Sequence, residues 1–99
     1  MLGYRALRAA RGDTTPLEGY DAATYVGPAA SDVRSLADLR AELRVVREST
    51  RCFFASLPSE AWDRVGVTGE RAISVRALAY VIVGHAIHHQ RVLADRYGV

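Results

Sequence analysis

SVRALAYVIVGHAIHHQRVLADRYG, running from Ser74 to Gly98, decides the fold of this 99-residue chain. Ser74 has the chemistry of an N-cap, and Gly98 is a natural left-handed stop. The residues between them are mostly apolar and contain no Pro, which predicts one helix from Val75 to about Tyr97. All three histidines of the protein, His85, His88 and His89, lie inside it. On a helical wheel with Leu78 at zero, His85 falls at about 340° and His89 at about 20°. Ile82, Val92 and Leu93 fall within about 60° of the same direction. His85 and His89 are therefore i and i+4 in the middle of an apolar stripe, and His88 sits at its edge.

That spacing lets two imidazoles reach one ion from a single helix. Two imidazoles placed side by side in a core are costly unless something satisfies them. A divalent cation such as Zn, Ni, Fe or Cu does so directly, because neutral imidazole is a good ligand. The alternative is that both hydrogen-bond to polar groups or water in a cleft. Gly84 removes a side chain just before the pair, at about 1 kcal/mol relative to Ala. Its expected use is the close approach of another helix.

Working outward, Val65 to Ile73 carries Gly66 and Gly69 and alternates weakly, which predicts an extended, hairpin-like loop too small to make a sheet. Ser59 to Asp63 predicts one short turn, with Trp62 covering the end of the core. Before it, Ser31 or Asp32 is expected to cap a long helix ending near Ser56. Its apolar stripe is Val33, Leu36, Leu39, Leu43, Val46, Thr50, Phe53 and Leu57, at steps of three and four. The opposite face is charged, with Arg34–Asp38 and Arg44–Glu48 as expected ion pairs. Cys52, in the same helix, is read as a core residue. Thr14 to Ala30, with Pro16, Gly19, Gly27 and Pro28, reads as a long structureless connection packing its aromatics onto the body. Met1 to Ala10 favours helix but lacks an N-cap, so it looks like the end of a helix. Arg11-Gly12-Asp13 is better explained by a helix C-cap at Gly12 than by an adhesion motif.

Composition bounds the function. The chain is long enough for one small domain, 1–99, and a core of this size gains from association with a second chain. One cysteine allows no intrachain disulfide, and with no secretory signal a cytoplasmic location is expected. The basic residues number 13, all Arg, against 11 acidic, for a net charge of +2. They are scattered among acids, which argues against a nucleic-acid-binding patch. No apolar run is long enough to span a membrane.

The stretch Ser74 to Tyr80 followed by Gly84 to His89 resembles the last helix of the DinB-like family. Tyr4 to Asp13, Pro16-Leu17, Gly19 to Asp21, Trp62 to Gly66 and Arg96-Tyr97 are similar to that family in the same order, over nearly the whole chain. The resemblance implies an all-α fold: a partial four-helix bundle made of the end of helix 2, a long crossover, and helices 3 and 4. The first helix is absent, as in an N-terminally truncated copy. It also implies a divalent metal, Zn, Ni or Fe, held by three histidines. Two of these map onto His85 and His89, and the third lies upstream of where this chain begins. A homodimer is expected to complete the bundle. Some relatives are thiol-dependent transferases or isomerases using a low-molecular-weight thiol such as bacillithiol or mycothiol. The implied function is thus divalent-metal binding, with thiol transfer as its enzymatic form. The alternative is a non-catalytic metal-binding or truncated helical association module.

Overall fold

The computed structural model describes residues 1–98. In chain order these form α1 (Leu2–Ala10), α2 (Ala23–Ala29), α3 (Leu36–Ala55), β1 (Val65–Thr68), β2 (Arg71–Ser74) and α4 (Val75–Tyr97). Single 3-10 turns occupy Ser31–Val33 and Ser59–Asp63. Four helices and one two-stranded ladder among the described residues make the chain all-α in class, as the sequence implied. The chain divides into two compact units: residues 1–17 with everything from Leu57 onward, and Glu18–Ser56.

The first unit holds the core. Ala6, Ala9 and Ala10 of α1, Ala61 of the second 3-10 turn, and Val75 and Leu78 of α4 are buried. Alanines on α1 let backbones approach closely. The tightest approach is at Gly66 of β1, where an added Cβ would lie 3.1 Å from the Ala9 Cβ. The Ala9 methyl has no rotamer to escape into, so the helix itself would have to move. Gly66→Ala is therefore expected to destabilise the protein by about 1 kcal/mol, the low end of overpacking costs. Urea denaturation checks this; an unchanged midpoint would mean that α1 shifts freely.

Local signals place the ends of these elements. α1 has no side-chain cap at Met1, as its composition implied. It closes on Gly12, at φ +81°, with Gly12 N–H donating to Ala9 O at 3.0 Å and Asp13 N–H to Arg8 O at 3.0 Å. That pair of bonds is a Schellman cap, so the Arg-Gly-Asp triplet is a helix stop. Asp13 then accepts from Thr15 N–H at 2.9 Å and from Arg8 Nε at 2.8 Å. The Thr15 hydrogen bonds, then Arg8, hold its carboxyl down at about 2. A carboxyl depressed in the folded state stabilises fully above its ordinary titration range and loses that contribution as pH falls toward 2. Asp13→Asn should therefore flatten the acid limb of the stability–pH curve below about pH 4. Denaturant midpoints at a series of pH values test this, and parallel curves for the two proteins would exclude it.

The segment after Arg64 corrects the expectation of a loop too small for a sheet. β1 and β2 pair antiparallel, with Val65 opposite Ser74 and Thr68 opposite Arg71. Gly69, at φ +57°, opens the two-residue turn, and no positive φ follows at Glu70. This is the glycine-first pattern of a type II′ hairpin. Leu17 adds a third strand-like segment beside β1: its N–H donates to Val67 O and its O accepts from Gly69 N–H, both at 2.8 Å. Arg5, buried in α1, donates to Thr68 Oγ1 at 2.8 Å and ties the helix to the hairpin. Ser74 caps α4 by accepting from Ala77 N–H at 3.0 Å, and Gly98, at φ +67°, ends it. Both ends fall where the sequence put them.

The second unit departs more from expectation. The connection after Leu17 is not structureless. Asp21 starts α2 by accepting from Ala23 N–H at 3.0 Å, while its carbonyl takes the Thr24 hydroxyl at 2.7 Å. Tyr20 stacks on Tyr25 with ring centroids 5.2 Å apart, yet both rings stay exposed rather than packed onto a body. α3 starts later than expected. Ser31 and Asp32 belong to a 3-10 turn, and Ser35 is the cap, accepting from Asp38 N–H at 3.0 Å. No residue of α3 is buried: Leu39, Thr50 and Phe53 of the stripe are half-buried, while Leu36, Leu43 and Val46 are exposed. Ion pairs form between Arg34 and Glu42 and between Glu48 and Arg51, not in the expected partnerships. Arg34 is extended and lies outside the helix, so it reaches further along α3 than i+4 spacing allows.

Candidate metal centre

His85 and His89 project from α4 about midway and two-thirds along its 23 residues. Their Nε2 atoms lie 2.9 Å apart and their ring centroids 4.5 Å apart. His88 points elsewhere, with its ring 5.5 Å from that of His89. The helical spacing read from the sequence therefore brings His85 and His89 together and leaves His88 aside.

Their surroundings differ from expectation. Both imidazoles are exposed, not buried in a core. The buried residues of α4, Val75 and Leu78, lie at its start, while the stripe further along is half-buried at Ile82 and Val92 and exposed at Leu93. Gly84 likewise faces open space, with no atom of the described residues within 4 Å of where a Cβ would stand. It admits no neighbouring helix in this structure. With the pair in water, desolvation gives no reason for an ion, and the case for one rests on donor geometry.

That geometry fits. Two imidazole nitrogens bound at right angles to one ion would sit about 2.9 Å apart, and in a tetrahedral site about 3.3 Å apart. The observed 2.9 Å matches the first and reaches the second by a small ring rotation. Without an ion, one imidazole donates to the other at the same distance. The donor set is short, however: no group of three or more His, Cys, Asp or Glu capable of holding a metal occurs among the described residues. Cys52 is no part of it. Contrary to expectation it is exposed rather than in a core, and its thiol lies 3.7 Å from Glu48 Oε1 and 3.8 Å from Arg51 Nη2.

Sequence reasoning missed one feature of α4. On the face roughly opposite the histidines, Trp62, Arg76, Ala79, Tyr80 and Val83 line an open depression of about 360 Å³. The Arg76 guanidinium lies 5.6 Å from the Trp62 ring centroid and 3.5 Å from Asp63. Arg76, Tyr80 and Val83 follow helical spacing, which was the available signal. Trp62 joins them only because the 3-10 turn packs on the start of α4. Elsewhere, no helix of the described residues is long and apolar enough to cross a membrane.

A family model, the DinB superfamily, matches residues 2–93. No curated protein and no solved structure matches the chain. The match takes in α1, α2, α3 and α4 as far as Leu93, and the chain belongs to the DinB superfamily.

Proposed function

We propose that this member of the DinB superfamily binds a divalent cation through Nε2 of His85 and Nε2 of His89. The observation that carries the reading is the exposed i,i+4 pair with its nitrogens 2.9 Å apart. Neutral imidazole suits Zn, Ni or Fe. α4 supplies the rigidity: Ser74 and Gly98 cap it, and the buried Val75 and Leu78 anchor its first turn.

Two protein ligands leave further positions on the ion, and their occupant decides the chemistry. A low-molecular-weight thiol in one of them would have its pKa lowered by the ion, which is the chemistry that thiol-dependent transfer requires. The exposure of both rings leaves the approach open to such a molecule. Protein donors in the same positions would make the ion structural. Calorimetric titration of the chain with Ni²⁺ or Zn²⁺ tests the common premise. Saturable uptake that disappears on substitution of His89 supports it, and no uptake at all overturns it.

A further inference from the structure

Arg76, Tyr80 and Val83 follow one another along α4 at steps of four and three. They lie between about 140° and 200° around the helix from the histidine pair, and the row is about 10 Å long. Together with Ala79 and Trp62 they line the depression of about 360 Å³. That volume falls within the roughly 300–1,000 Å³ of small-molecule sites. The backbone beneath it is fixed. Ala61, beside Trp62 in the 3-10 turn, is buried, and Val75 N–H donates to Arg64 O at 2.9 Å, tying the end of the turn to the start of α4. Trp62 is half-buried against α4, while Tyr80 and Val83 are exposed.

The lining is charged at the Arg76 end and aromatic or apolar over the rest. The Arg76 guanidinium, 5.6 Å from the Trp62 ring centroid, is held beside the indole as a cation–π partner. Its contact with Asp63, at 3.5 Å, is at the long limit of a hydrogen bond, and the two side chains are 55% and 79% exposed. A pair this loose and wet is worth little, so the guanidinium exchanges partners readily. A planar fork of donors matches a carboxylate in two-pronged fashion. A cationic ligand would meet the like charge of Arg76, and a simple inorganic anion would use the fork but leave the aromatic walls in water. We infer that the depression binds a small aryl-alkanoate, with its carboxylate on Arg76 and its ring against Trp62 and Tyr80, pointing toward Val83. The inference stands independently of the metal-binding reading, which concerns the other face of α4.

The experiment is a titration of the chelator-treated 99-residue chain with phenylpropionate, followed by proton–nitrogen NMR. The chain has a single tryptophan, so its one indole N–H signal reports Trp62 without further assignment. That signal should move and saturate, with a midpoint on the order of 1 mM or below. Phenylpropionamide, which keeps the ring and loses the charge, should bind at least roughly tenfold more weakly, as should phenylpropionate to Arg76→Gln. Arg76 is exposed, so this variant should keep the circular dichroism of the parent. Tyr80→Ala should weaken binding roughly threefold or more through the lost ring contact. Asp63→Asn removes the competing carboxylate and should tighten it. No saturable shift by about 10 mM overturns the site. Equal binding of acid and amide, or undiminished binding in Arg76→Gln, overturns carboxylate recognition by Arg76, as does weaker binding in Asp63→Asn. An equal response to acetate overturns the aromatic part.

Discussion

His89→Ala should lower divalent-metal affinity at least roughly 100-fold, since even an outer-shell partner of a metal ligand is worth about 10–100-fold. The substitution leaves His85 as a lone imidazole, so the advantage of two donors held on one rigid helix is lost. His89 is exposed, so no core contact is removed, and Ala has a higher helix propensity than His. Far-UV circular dichroism should therefore stay unchanged while the calorimetric signal for Ni²⁺ or Zn²⁺ vanishes. His88→Ala is the matched control. It removes an imidazole from the same turn of α4, but one whose ring lies 5.5 Å from that of His89 and off the shared face, and it should bind metal as the parent does. Full affinity in His89→Ala would dismiss the site; loss in both variants would mean that His88, not the i,i+4 geometry, is a ligand.

The largest effect on stability is expected at Leu78. Its side chain is 2% exposed, and the rest of the buried set is Ala6, Ala9, Ala10, Ala61 and Val75 with Arg5. Four of those are alanines, which cannot expand into a vacated space. Leu78→Ala should cost about 2–5 kcal/mol, the usual range for a buried leucine. Small domains are stable by only about 5–15 kcal/mol, so the variant should unfold at much lower urea. Leu43→Ala provides the contrast. Leu43 belongs to the apolar stripe of α3 but is 56% exposed, and its truncation should cost well under about 1 kcal/mol. Similar midpoint shifts for the two variants would mean that the α3 stripe is buried in solution, with pairing between copies as the first cause to examine by concentration dependence.

Much of the fold was legible because its signals act over a few residues. Ser74 and Gly98 bracket α4 through hydrogen bonds to backbone groups three or four positions away, and Gly12 ends α1 in the same way. Where two local signals compete, the outcome is less readable. Ser31, Asp32 and Ser35 all have capping chemistry. The chain turns at Ala30, at φ +52°, and Arg34 is extended, so only Ser35 stands directly before a continuous helix. α2 was hidden because Gly27 and Pro28 mark a loop by composition, whereas the Asp21 side chain starts a seven-residue helix that runs through both.

The centre divides along the same line. Helical periodicity alone places His85 and His89 one turn apart on one face, since 3.6 residues per turn is a property of the backbone and needs no neighbour. The all-α class follows from the same periodicity, together with the caps and breaks between segments. Whether that face is wet or dry is not a local matter. The buried positions of α4 are Val75 and Leu78, the latter one turn before Ile82 and two before the first histidine. Sequence by itself determined α1, α3 and α4 and the one-turn spacing of the imidazoles. Tertiary structure alone decided that they stand exposed at a distance of 2.9 Å, because burial is set by the neighbour that covers a face and not by the residues that compose it.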